Sequence, residues 1–409
     1  MTELKKSGVY WLGEVASEFD IVPSTIIFRE RSEKNLEDDV HLTPSQKYGV
    51  LSQDRYQEIT GGKVMQRLSN ADMKHVEPDD FVIHLRSFQG GIERSQVRGK
   101  VSTAYTVLEP RDGVFTGYWR YFLKSAPFIE GMASSTDQLR DGQTINYARF
   151  SRLKLLRPPL ETQRRIANYL DKEISEMDAM IEEFEGLVAD LENRAIPFAK
   201  RYLDELENAG VGRTHLGLHA SFIGGSGFNE RYQGVEGEEL PFYKVGSLST
   251  MDSKAIVHDY SNTVSRETAR EIGARVVPAG SILLAKVGEA MRLNRFGVNT
   301  VDCCIDNNML SVQPDLQVLD TDYLRLALTQ LPIDVLINPG PVPSLNTAAF
   351  RAFKFPLPSL DKQREIAKSW QREIEKSAAL IEESTRLVEN LKARKTALIT
   401  EVVTGRKEV

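Results

Sequence analysis

Two stretches of the chain concentrate side chains that can grip or read a polyanion. The first begins within PDDFVIHLR and contains Arg86, Gln89, Arg94, Ser95, Gln96, Arg98 and Lys100, with Tyr105 beyond it. The second contains Lys244 in PFYKVGSL, then Lys286, Arg292, Asn294 and Arg295. Arginine and lysine donate to guanine edges and to phosphate oxygens. Glutamine and asparagine match the paired donor and acceptor of adenine, and glycines such as Gly90 and Gly91 let a backbone come close. The plainer reading of each cluster is a solvated basic loop.

Other motifs point toward enzyme chemistry and fall short of it. GGSGF at residues 224–228 lacks the Lys-Ser/Thr ending of a phosphate loop and the strand-turn-helix setting of a dinucleotide fingerprint, so a loop or plain turn is expected. EPDDF, residues 77–81, pairs acids that could hold a catalytic metal, but no acid-x-lysine partner follows at a persuasive position. A turn that opens a strand is the better reading. No NPPY or DPPY, the tetrapeptide expected of an amino-methyltransferase, occurs anywhere. His215 and His219 stand four apart in HLGLH without an acidic partner, and His41, His75, His84 and His258 are scattered. Cys303 and Cys304 are adjacent, a spacing that seldom bridges or builds a tetrahedral site, so both are read as reduced and structural. No catalytic residue, metal or cofactor is expected on this chain.

A chain of 409 residues with 41% hydrophobic and 27% charged residues is globular and long enough for more than one domain. It opens on no apolar signal core and holds no uninterrupted apolar run near the ~20 residues of a membrane helix, so a cytoplasmic protein without a membrane partner is expected. The net charge of −6 is unsuited to a polyanion until it is divided by segment. Residues 158–207 carry 6 basic against 13 acidic side chains, whereas residues 1–157 carry 22 against 21, residues 208–357 carry 13 against 15, and residues 358–409 carry 11 against 9. Local patches decide phosphate binding more than totals do.

The elements that must position the two clusters are revealed by a repeat. PPLETQRRIANYLDKEI from residue 158 lies over PSLDKQREIAKSWQREI from residue 358, and 16 of the 46 ungapped pairs from 158/358 to 203/403 are identical. The offset of 200 residues also pairs Asn146 with Asn346, Phe150 with Phe350 and Pro78 with Pro278, and drifts slightly where WLGEVA (11–16) meets HLGLHA (215–220). It sets Arg86 over Lys286, which marks a shared phosphate contact. A period this long means duplicated domains, because solenoid repeats run at about 20 to 50 residues.

Past each P-x-L the apolar residues take helical spacing. Ile166, Leu170, Ile174, Met177, Ile181, Phe184, Val188 and Leu191 form one seam, and Ile366, Trp370, Ile374, Ile381, Val388, Leu391 and Leu398 form the other. A helix of about 40 to 45 residues is about 60 to 68 Å long. Such a helix must bury its stripe, and its twin is the economical partner, so an antiparallel coiled coil between two globular domains is expected. Pro197, where the second copy has Ala397, should kink or end the first helix near Ile196 and allow a restart there. Before the helices, DDFVIHL and GSILLAKV read as strands, while TGYWRYFLKSAPF and TDYLRLALTQLP read as short helices that end near a proline. Each globular part is therefore mixed α/β.

Gln163-Arg164 and Gln363-Arg364 open the helices, where they either cap and dock each helix on its own globular part or contact a partner. The acidic face with Glu173, Glu182, Glu183 and Glu185 is either a partner surface or a solvated flank.

Two diverged α/β domains, each followed by a more similar helix opening with P-x-L-x-x-Q-R-x-I-A, resemble the specificity subunit of type I restriction-modification systems across nearly the whole chain. FQGGIERSQVRGKVSTAY (88–105) is also similar to recognition domains of that group. The resemblance implies target recognition domains at residues 1–157 and 208–357, and spacer and docking helices at residues 158–207 and 358–409. Each recognition domain would read one half of an asymmetric, bipartite site on double-stranded DNA, and about 60 Å would span about one and a half to two turns of unread duplex. The resemblance further implies two methylation subunits as partners, joined by motor-nuclease subunits. S-adenosylmethionine, ATP and Mg would be used there, for N6-adenine methylation and ATP-dependent cleavage. The alternatives are a diverged stand-alone methyltransferase or nuclease, and a coiled-coil adaptor that binds no DNA.

Overall fold

The computed structural model describes residues 3–61, 73–84, 91–134 and 146–409; Arg86, Gln89 and Gly90 lie outside them. The chain divides into two compact units, residues 1–183 with 387–409 and residues 184–386, so that the division falls inside both long helices.

In the first unit the run FVI becomes the strand Phe81–Ile83, with every side chain buried. Alternation explains why the run is continuous rather than striped. Phe81 and Ile83 join one core while Val82, on the opposite face, joins a second. The strand lies third in an antiparallel sheet ordered Phe28–Glu30, Thr106–Pro110, Phe81–Ile83, Ile92–Arg94.

The second unit repeats that order with Ala220–Gly224, Met309–Pro314, Ile282–Ala285 and Gly297–Val298. In both sheets the first strand pairs with the fourth, the fourth with the second, and the second with the third. The duplication seen in the sequence is thus a duplication of topology.

Residues matched at the 200-residue offset take matching jobs. Asn146 and Asn346 are N-caps of one-turn helices, each side chain accepting the N–H of the third residue after it. Phe150 and Phe350, both fully buried, meet an aromatic of the first sheet strand edge to face. The ring centroids are 5.9 Å apart for Phe28 with Phe150 and 5.9 Å for Phe222 with Phe350. Downstream, Lys154–Arg157 pairs with Asp20–Pro23, and Lys354–Pro356 pairs with Arg213–His215.

The long helices follow. The second runs unbroken over Leu360–Val403, 44 residues. The first spans Leu160–Glu192 and resumes as Ala195–Asn208. The break sits at Asn193 and Arg194, slightly before the Ile196 expected from sequence. Pro197 then occupies the first turn of the new helix, where N–H groups have no intrahelical partner and the proline removes nothing. The expected seam positions are buried or half-buried throughout both helices.

Within the first unit the start of one long helix and the end of the other run antiparallel. Thr162, Arg165 and Ile166 share a cavity of about 360 Å³ with Val402, Gly405 and Lys407, while further along Lys395 Nζ meets Asp178 at 2.6 Å. The chain's last residues close the unit. Tyr118 donates its hydroxyl to Val403 C=O at 3.0 Å, and Arg406 donates to the carbonyls of Glu14 and Leu12.

Candidate nucleic-acid interface

Gln163 and Gln363, at the repeated helix openings, both bond within their own units. Gln163 is buried, donates to Pro158 C=O at 2.9 Å and accepts the N–H of Phe115 at 3.2 Å. Gln363, also buried, donates to Pro358 C=O and Val318 C=O, both at 2.9 Å, and accepts the N–H of Asp320 at 2.9 Å. Phe115 and Asp320 are the N-caps of the short helices Thr116–Phe122 and Thr321–Leu328. Each glutamine therefore ties a long helix to a short helix of its own unit.

A second tie repeats too. Arg120 pairs with Asp171, and Arg325 donates to Gln371 at 2.8 Å while lying over the Trp370 ring at 4.7 Å. Arg164 and Arg364 stay outside these ties. Arg164 lies 5.7 Å from the Phe115 ring centre, and exposed Arg364 reaches Asp361 only at 3.8 Å.

In the first unit the basic cluster sits around the end of the strand Ile92–Arg94. Arg94 Nε donates to Asp79 Oδ1 at 2.6 Å, and Thr116 donates to the same oxygen at 3.1 Å. Ser95 is fully buried and donates its hydroxyl to Val97 C=O at 2.7 Å; Lys100 is also buried, opposite His75 in an antiparallel pair. Ser95 and Lys100 thus serve the inside of the unit. Arg98 pairs with Asp38 at 2.8 Å and Asp39 at 3.3 Å but keeps an exposed guanidinium beside exposed Gln96.

The acids of EPDDF belong to the same frame. Asp79 turns the chain with φ 78°, and buried Asp80 holds Arg31 with two bonds, at 2.6 and 3.1 Å. Behind them, His75 lies between Asp39 and Glu77, 2.7 Å from each. Burial would lower its pKa, but the bonds and charges of the two carboxylates outweigh burial and leave it raised.

In the second unit the cluster separates into two places. Lys244 donates to Gln233 at 2.7 Å above the Phe228 ring, and Lys286 projects from the end of Ile282–Ala285. Burial leaves the Asp306 pKa raised, although the N–H of Asn308 and the charges of Lys244 and Lys286 act to lower it. Arg292, Asn294 and Arg295 occupy another turn, where Arg292 pairs with Glu289 at 3.0 Å and with Asp334. Asn294 there is left-handed, φ 50°, and donates to Thr329 C=O at 3.2 Å, while Arg295 is exposed.

In the GGSGF loop the N–H groups of Gly225 and Ser226 donate to Met309 C=O and Ile305 C=O, so these two do not turn toward a phosphate. His215 and His219 bond separately to Ala352 C=O and Thr214. Cys303 and Cys304 are free and buried, and burial pushes the Cys304 thiol up to about 11. Among the described residues no cluster of three or more metal-ligating side chains occurs, and no helix is long and apolar enough to cross a membrane.

Sequence reasoning missed Asp306 and Asn308, which join the lysines only through strand pairing. Their one local signal is the Asp-Asn-Asn turn after the apolar run CCI.

Comparison with known proteins converges on one group. Residues 228–389 match the family model of the type I restriction modification DNA specificity domain. A chain from the structure describing complex assembly and conformational transition of the type I R-M system superposes with a TM-score of 0.73 at 14% identity, over 95% of this chain and 98% of that one. The HsdS subunit from Thermoanaerobacter tengcongensis gives 0.55 at 15% identity, over 96% and 98%. The second half of the chain is thus similar to the type I restriction modification DNA specificity domain, and the chain shares a fold along nearly its whole length with the HsdS subunit from Thermoanaerobacter tengcongensis.

Proposed function

We propose that residues 1–157 and residues 208–357 each read one half of an asymmetric, two-part DNA sequence, while the helices of residues 158–207 and 358–409 set the unread spacing and dock two methylation subunits. The observation that carries this reading is a repeated frame with unlike edges. Sheet order, capping asparagines and glutamine ties recur in both units, but the strand-end loops differ: Arg94, Gln96 and Arg98 in one, Lys244, Lys286 and Asp306 in the other. A scaffold kept alike with edges made different suits two readers of different half-sites.

The helices support the docking half of the proposal. Exposed Met180 and Leu187 lie seven residues apart on one face, and exposed Leu380 and Leu387 repeat them at the 200-residue offset. Like faces suit two copies of one partner. The subunit is non-catalytic in this reading. Methylation of adenine N6 with S-adenosylmethionine and ATP- and Mg-dependent cleavage belong to the methylation and motor-nuclease subunits.

Reconstitution tests it. The purified chain alone should transfer no methyl group, and adding methylation subunits should produce methylation of one gapped sequence. Exchanging residues 1–157 for those of another family member should alter one half of that sequence. Methyl transfer by the chain alone, or exchange that leaves both halves unchanged, would overturn the proposal.

A further inference from the structure

In the unit of residues 184–386, several strand ends meet at one edge. Leu240–Tyr243 runs parallel to Cys304–Ile305 with Tyr243 opposite Ile305, so Lys244 and Asp306 leave the sheet side by side. Ile282–Ala285 runs antiparallel to Met309–Pro314 with Ala285 opposite Met309, and Lys286 N–H donates to Asn308 C=O at 2.7 Å. Gly224 lies opposite Leu310, and the chain then crosses Asp306 so closely that a Cβ on Gly225 would stand 1.8 Å from its carbonyl oxygen. Glycine is required there by contact, not by φ. A Cβ on Gly224 would sit 3.5 Å from Lys286 Nζ, which locates the ammonium over the same loop.

Lys244, Lys286 and Asp306 are all half-buried, with exposed Asn307 beside them. Burial raises the pKa of Asp306 and the two ammonium groups oppose that shift, yet among the described residues Asp306 forms an ion pair with neither lysine. Its Oδ1 accepts the N–H of Asn308 at 2.9 Å, which fixes the turn.

A phosphate repels a carboxylate, so an acid among lysines on a DNA-facing edge has no place against the backbone. A base edge is different, because exocyclic amino groups need an acceptor. A lysine beside that acid is satisfied where purine acceptors adjoin the amino group. The G·C pair offers both in the major groove: guanine O6 and N7 accept, and cytosine N4 donates.

We propose that Lys286 and Asp306 together read a G·C pair in the major groove, Lys286 donating to guanine and Asp306 accepting from cytosine N4, while Lys244 holds a flanking phosphate. This rests on residues 208–357 being a half-site reader. It moves Lys286 from the phosphate contact expected on sequence to base readout.

The test uses the full chain reconstituted with its methylation subunits, supplied with double-stranded DNA randomised across the site, and the methylated molecules are sequenced. Asp306→Asn keeps the oxygen that accepts from Asn308 and turns the other into a donor, so the turn survives while an acceptor is lost. Asp306→Asn and Lys286→Met should each relax the same single G·C position by about 10-fold. The other half-site should stay unchanged, and Lys244→Met should lower methylation of all sequences alike. Lys286→Met alone decides the matter if the Asp306→Asn complex does not assemble. An unchanged motif, or relaxation at an A·T position, overturns the proposal. A wild-type complex that yields no two-part motif instead contradicts the half-site reading on which it rests.

Discussion

The side-chain oxygen of Gln363 accepts the backbone N–H of Asp320 at 2.9 Å, and two hundred residues earlier Gln163 does the same for Phe115 at 3.2 Å. One buried amide thus satisfies a helix N-cap, holds a proline carbonyl and fixes where a long helix leaves its unit. Gln363→Ala should orphan the N–H of Asp320 and the carbonyls of Val318 and Pro358, and cost about 1–3 kcal/mol. Arg364→Ala, next in sequence but exposed, should cost under about 0.5 kcal/mol. Urea unfolding of the two variants checks the contrast, and equal losses would refute it.

The same residues show how much could be read from sequence. Repetition disclosed the duplicated plan and the helical seams, because each is a local pattern written twice. Gln163 could not be assigned to self-docking or partner contact, because the donor that its side-chain oxygen accepts from is the N–H of Phe115, 48 residues away. The basic cluster was legible as composition but not as geometry. Ser95 and Lys100 look like surface residues in sequence and are buried by pairing with distant segments. Asp306 carried no basic signal at all, and only the parallel pairing of its strand with Leu240–Tyr243 brings it beside Lys244.

His75 should make stability depend on pH. Its folded pKa is raised above the ordinary value of 6.5, because the bonds to Asp39 and Glu77 outweigh burial. A raised folded pKa contributes stability that is fully present below the unfolded value and is lost as pH rises through the folded one. His75→Gln should therefore cost most below about pH 6.5 and progressively less above it. His84 has the opposite sign: burial, aided by Lys124, lowers it to about 4, so its contribution is lost as pH falls from about 6.5 toward that value. Urea midpoints of wild type and His75→Gln at several pH values check this, and a constant difference would exclude the His75 linkage.

Met180 and Leu380 should act alike in docking. Each is exposed at the same position of its helix. Met180→Lys and Leu380→Lys should each reduce the bound methylation subunits from two to one, and together to none, with little change in the stability of the chain. Native mass measurement of the assembled complex reads the stoichiometry. Two subunits retained by the double variant would exclude this face.

The spacing role makes a length prediction. One heptad added to each long helix, after Glu183 and after Arg386 where the units divide, lengthens a helix by about 10.5 Å. At about 34 Å per turn of duplex, that should widen the unread spacer by about three base pairs without altering either half-site. Sequencing of methylated DNA reads the spacer directly, and an unchanged spacer would mean the helices do not set it.

The most direct measurement maps methylated adenines across the host genome with and without this gene. The account predicts that one asymmetric motif, two short halves separated by unread bases, loses its methylation when the gene is removed and regains it on return. Persistence of every methylated motif, or loss of an ungapped one, would contradict it.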